Sequence, residues 1–87
     1  MDNTKLYCKV GRVELTEAEA WKIYNEKKYI CTSTAIYQGF YSKAQNQVYF
    51  VKIADYKGIA RRGRYYTLTA DHINRIMGYE FLHTEIY

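Results

Sequence analysis

The sequence predicts an α+β fold: an antiparallel sheet of about four strands with two helices on one face, in the order β-α-β-β-β-α, with a final strand or extended tail to close. Three observations carry this. Two segments share a Leu-Thr helix-start pattern, at Leu15-Thr16 and Leu68-Thr69. Between them lie three stretches rich in β-branched and aromatic residues with no helical period. The whole chain is 87 residues without proline and with five glycines, enough for one domain over residues 1–87 and no long linker.

Each element follows from local chemistry. Leu6 to Val13 alternates as a strand, with Gly11 as a bulge or bend. Thr16 is a helix N-cap and Glu19, three residues on, completes a capping box. The helix is expected over Glu17 to about Lys27, with Ala20, Ile23 and Tyr24 on its apolar side. Tyr29 to Tyr37 reads as a strand, and Gln38 to Asn46, with Gly39 and polar residues, as a segment containing a turn. Gln47 to Ala54 is the strongest strand. Asp55 to Gly58 reads as a turn, and Ile59 to Leu68 as a third central strand interrupted by Gly63. Short connections make these three a meander. Thr69 then caps a second helix with Ile73, Ile76 and Met77 on one face, ended by Gly78. A sheet covered on one side leaves its other face open to a partner.

Composition excludes several function classes. The apolar and charged fractions, 48% and 25%, are those of a folded globular chain. No apolar run is long enough to span a bilayer, and Met1 to Lys5 has no signal-peptide character, so a cytoplasmic protein without membrane contact is expected. Cys8 and Cys31 have neither metal-ligand nor CxxC spacing and read as packed thiols. No metal or cofactor is expected. His72 and Asp71 are adjacent on the second helix and point about 100° apart, so they do not form an acid–base pair. Thr32-Ser33-Thr34 reads as hydroxyls pairing across the sheet. The expectation is a non-enzymatic protein.

Charge and tyrosine point instead to binding. The net charge is +4, but residues 32–66 alone carry +5, against +1 for residues 1–31 and −2 for residues 67–87. Eleven tyrosines are too many for so small a core. The candidate basic contacts are Lys43, Lys52, Lys57, Arg61, Arg62 and Arg64. Tyr49, Tyr56, Tyr65 and Tyr66 are interleaved with them. Basic residues alternating with aromatics on strands can follow a phosphate backbone while rings stack on bases. If Arg61 to Tyr66 is a strand, Arg62, Arg64 and Tyr66 share one face. The expected partner is nucleic acid, or a nucleoprotein or protein with an acidic surface. A homodimer through an exposed strand edge is a further expectation.

The compact, proline-free style and the LTxxEA helix start at Leu15 to Ala20 are similar to short proteins of phages and conjugative elements. That similarity implies an alternative function, an inhibitor that binds and blocks a host or defence protein, for example of the CRISPR type.

Overall fold

The computed structural model describes residues 6–78 and residue 81. The α+β class and the antiparallel four-stranded sheet are present as the sequence predicts. The chain runs β1 (Cys8–Val10), β2 (Val13–Leu15), α1 (Glu17–Asn25), β3 (Tyr29–Cys31), β4 (Ala35–Ser42), β5 (Gln47–Asp55), β6 (Tyr66–Leu68) and α2 (Ala70–Met77). β1 and β2 form a separate hairpin, and the main sheet has the order β5-β4-β3-β6, antiparallel throughout. The expected final strand, residues 79–86, lies outside the described residues apart from Phe81, which packs on the α2 cluster.

The first expected strand is in fact a tight hairpin. Val10 pairs with Val13, leaving Gly11 and Arg12 as a two-residue turn. Gly11 has φ 63° and Arg12 does not share that sign, as a type II′ turn requires. Tyr37 sits beneath Gly11, with its hydroxyl 3.0 Å from where a Cβ would be, so only glycine fits on both counts.

Helix α1 begins as expected. Thr16 Oγ1 accepts from the Glu19 N–H, and the Glu19 carboxylate accepts from the Thr16 N–H at 2.9 Å. It ends two residues earlier than expected. Lys28 N–H donates to the Ile23 carbonyl and Lys27 N–H to the Tyr24 carbonyl, with Lys27 at φ 58°. This is a Schellman stop, and it places a lysine in the left-handed conformation that glycine favours. At α2, Thr69 Oγ1 accepts from the His72 N–H, and Gly78 is the C-cap.

The helices lie on opposite faces of the sheet, not on one. Side chains alternate along β3, and all three of its residues are buried. Ile30 joins the cluster of Val10, Leu15, Ala20, Ile23 and Val48 under α1 and the β1–β2 hairpin. Tyr29 and Cys31 join Ile36 and Ile73 under α2. The expectation of one open face came from the element order, which suits a sheet covered on one side. The pleat of a strand buried on both sides gives each helix a face of its own.

The central meander is also rearranged. Tyr29 to Tyr37 divides into β3 and β4 at a turn over Thr32-Ser33-Thr34, where Thr32 Oγ1 accepts from the Thr34 and Ala35 N–H groups. β4 runs straight through Gly39, whose missing side chain makes room for the Phe50 ring. The turn expected within Gln38 to Asn46 falls at residues 43–46, with Asn46 at φ 52°. Ile59 to Tyr65 is loop, and β6 pairs with β3 instead of β5. A register shift at Ile36/Tyr37 is a bulge in the β4–β5 pair. It brings Lys52 and Asp55 to the same side, where they form a 2.7 Å ion pair despite their odd spacing.

Lys27→Gly is expected to raise stability by roughly 0.5–1 kcal/mol, since relief of left-handed strain exceeds the added unfolded-state entropy. Chemical denaturation of the two proteins measures the difference.

Candidate anion-binding cleft

The structure separates the residues that the sequence grouped. Lys57, Arg61, Arg62 and Arg64 are exposed on the loop between β5 and β6. Lys43 and Tyr49 belong to the turn end of the β4–β5 hairpin. From Gln47 to Asp55 the strand spans about 27 Å, so these two groups cannot contact one small ligand together. Lys52 lies between them, paired with Asp55.

The tyrosines separate too. Tyr65 packs on the α1 cluster, while Tyr56 and Tyr66 pack on the α2 cluster. Burial pushes the hydroxyls of Tyr65 and Tyr66 up, the latter to about 12. These rings are structural supports for the loop and do not form a stacking platform. Arg61 to Arg64 is not a strand, so the expected sharing of a face by Arg62, Arg64 and Tyr66 does not hold. Gly63, at φ 80°, permits a type II turn closed by Arg64 N–H to the Arg61 carbonyl at 2.9 Å.

That turn meets the hairpin turn of β1–β2 across a cleft of about 510 Å³. Gly11, Arg12 and Val13 line it together with Arg62 and Gly63 and with Thr32, Ser33 and Thr34. Each arginine therefore stands on a tight turn beside a glycine of positive φ. No acidic side chain lines the cleft. Among the described residues, neither Arg12 nor Arg62 has an ion-pair partner. The Thr32 hydroxyl is consumed within its own turn, and among the described residues the hydroxyls of Ser33 and Thr34 have no side-chain partner. Thr32-Ser33-Thr34 thus forms a turn, not the expected cross-strand hydroxyl pair.

The loop is held down at its start. Tyr56 N–H donates to the Thr34 carbonyl at 3.0 Å. Gly58 lies so close to the Thr32 carbonyl, Cys31 Sγ and the Tyr66 hydroxyl that a Cβ has no space. Cys31 Sγ–H donates to Tyr66 Oη at 3.2 Å. The Tyr66 hydroxyl is raised chiefly by burial, then by its bond with Cys31, against a hydrogen bond from the Ile59 backbone. Beyond this anchor, Ile59 stands 91% exposed between Lys57 and Arg61.

Arg12 was not among the residues expected from sequence. The signal was the Gly11-Arg12 pair between Val10 and Val13, which reads equally as a bulge in one strand. His72 is exposed, and the neighbouring Asp71 carboxylate pairs with Arg75 at 2.9 Å. Among the described residues, no three His, Cys, Asp or Glu side chains group as metal ligands. No described helix is long and apolar enough to cross a membrane. Comparison with protein families, with curated proteins and with solved structures finds no match to this chain.

Gly58→Ala is expected to cost roughly 1–3 kcal/mol, because the added methyl meets backbone and the loop must shift. Thermal or urea unfolding reads the loss. Tyr66 gives a pH signature. Its folded pKa lies above the ordinary value of 10, so its contribution is intact below pH 10 and is lost as pH rises through about 12. Tyr66→Phe is expected to flatten the fall in stability over that window, measured by denaturation at a series of alkaline pH values.

Proposed function

We propose that the protein is a non-enzymatic module that binds the phosphate backbone of nucleic acid through the Arg12–Arg62 cleft. The observation that carries this reading is a cleft lined by Arg12 and Arg62 together with Ser33 and Thr34, in which neither arginine has an ion-pair partner among the described residues. A phosphodiester is the occupant that suits them. Guanidinium forks bind oxyanions through paired N–H donors, and the Ser33 and Thr34 hydroxyls add donors. A phosphodiester holds its two charged oxygens on a tetrahedral centre, so donors reach them from more directions than the single plane of a carboxylate offers. A phosphate also binds without aromatic stacking, which suits a cleft whose neighbouring Tyr56, Tyr65 and Tyr66 rings are packed on the core clusters.

Lys57, Arg61 and Arg64, on the same loop as Arg62, add positive charge that draws in a polyanion. Contacts of this kind position a strand without reading its bases. The proposed activity is therefore binding with little sequence preference and a steep dependence on salt. Lys43 and Tyr49, at the other end of the hairpin, lie outside this contact.

Fluorescence anisotropy with a labelled oligonucleotide tests the proposal. Arg12→Ala and Arg62→Ala are each expected to weaken binding similarly for all sequences. Each is also expected to reduce the log–log salt slope by about 1. Lys43→Ala is expected to leave binding close to that of the parent protein. Failure to bind at low ionic strength, or equal losses from Lys43→Ala and Arg62→Ala, rules the cleft out.

A further inference from the structure

β5 is an edge strand, and its outward backbone is unpaired over one short window. In an antiparallel pair, successive residues direct their N–H and C=O groups alternately toward and away from the neighbour. Val48 N–H points away from β4, because it donates to the Tyr7 hydroxyl at 3.0 Å. By alternation the backbone groups of Phe50 and Lys52 also point outward. No described residue pairs with them, since β1 and β2 form their own sheet. The window is closed at one end by Tyr7 on Val48 and at the other by the bulge beyond Lys52.

The side chains around this window are suited to cover. Phe40, Tyr49 and Val51 share the α2 face of the sheet but lie beyond the helix, and each is about two-fifths exposed. Phe40 and Tyr49 contact each other with ring centroids 5.9 Å apart. A lysine on an edge strand ordinarily deters pairing by its charge. Here Lys52 is neutralised by Asp55 at 2.7 Å.

We infer that two copies of the chain associate through this edge, antiparallel, with Val51 on the twofold axis. Only that register lets both outward positions pair. Phe50 of each copy exchanges its two backbone hydrogen bonds with Lys52 of the other. Centring on Phe50 would place Lys52 against Val48, whose outward donor Tyr7 already takes. With Val51 on the axis, the two valines face each other as a non-hydrogen-bonded pair. The Phe40–Tyr49 contacts of both copies then flank them on one surface. Antiparallel pairing also brings the Lys43 turn of one copy toward the Asp55 end of the other. The association uses none of the residues that line the cleft, and a dimer carries two clefts.

Cysteine trapping tests the register. In a non-hydrogen-bonded pair the Cα atoms are about 4.5 Å apart, within disulfide range. Val51→Cys, in a Cys8→Ser background with Cys31 buried, is expected to give a disulfide-linked dimer under a mild thiol oxidant. Tyr49→Cys is expected to cross-link far less, because this register sets the two copies of that residue about 13 Å apart. Without oxidant, analytical ultracentrifugation of the parent protein is expected to show a concentration-dependent dimer. Lys52→Pro, which removes one outward donor at a position where an edge strand tolerates proline, shifts it to monomer. Equal cross-linking of the two cysteine variants, or a monomer at every concentration, overturns the proposal. Oligonucleotide binding by Lys52→Pro is expected to persist.

Discussion

Three consecutive residues, Tyr29, Ile30 and Cys31, hold the two halves of the core together. β3 is so short that it has no spare residue, and every side chain on it is buried. Its hydrogen bonds join β4 on one side and β6 on the other. Its pleat sends Ile30 toward α1 and the hairpin, and Tyr29 and Cys31 toward α2. A chain of this size buries only about 60–65% of its unfolded surface, and two thin clusters sharing one strand use that allowance on both sides.

The cleft depends on the same strand. Cys31 ends β3, and the turn that follows it supplies the three hydroxyl residues of the cleft. Cys31 also reaches Tyr66 on β6, and Gly58 closes over both, so the arginine loop starts from a fixed point. On the other face, Tyr37 stands beside Ile30 and supports Gly11, which sets the hairpin turn carrying Arg12. Two arginines 50 positions apart in sequence thus converge because each is carried by a turn resting on the central pair of strands. The exposed part of the sheet is a different region. It begins where α2 ends its cover, at Phe40, Tyr49 and Val51.

Helix starts were legible because they are local. Thr16 with Glu19, and Thr69 ahead of Ile73, satisfy backbone donors within one turn of chain. The core strand Gln47 to Ala54 was legible from its β-branched and aromatic run. The Arg61 to Tyr66 segment was misread because alternating arginine and tyrosine fits a strand. Which tyrosine packs against which helix is a long-range matter. β6 leaves β5 and crosses to β3 because Leu68 and Tyr66 find the α2 cluster there. That crossing turns the preceding residues into a loop over the end of the sheet.

The sequence by itself determined the α+β class, the helix caps, the strongest strand and the concentration of positive charge in residues 32–66. These rest on composition and on contacts within a few residues. Only the tertiary structure decided that the helices take opposite faces, that the basic residues divide between two ends of a long hairpin, and that Arg12 joins Arg62. Those outcomes depend on strand order and on the direction of each pleat. A single three-residue strand buried on both sides fixes them, and no local pattern in the chain encodes that burial.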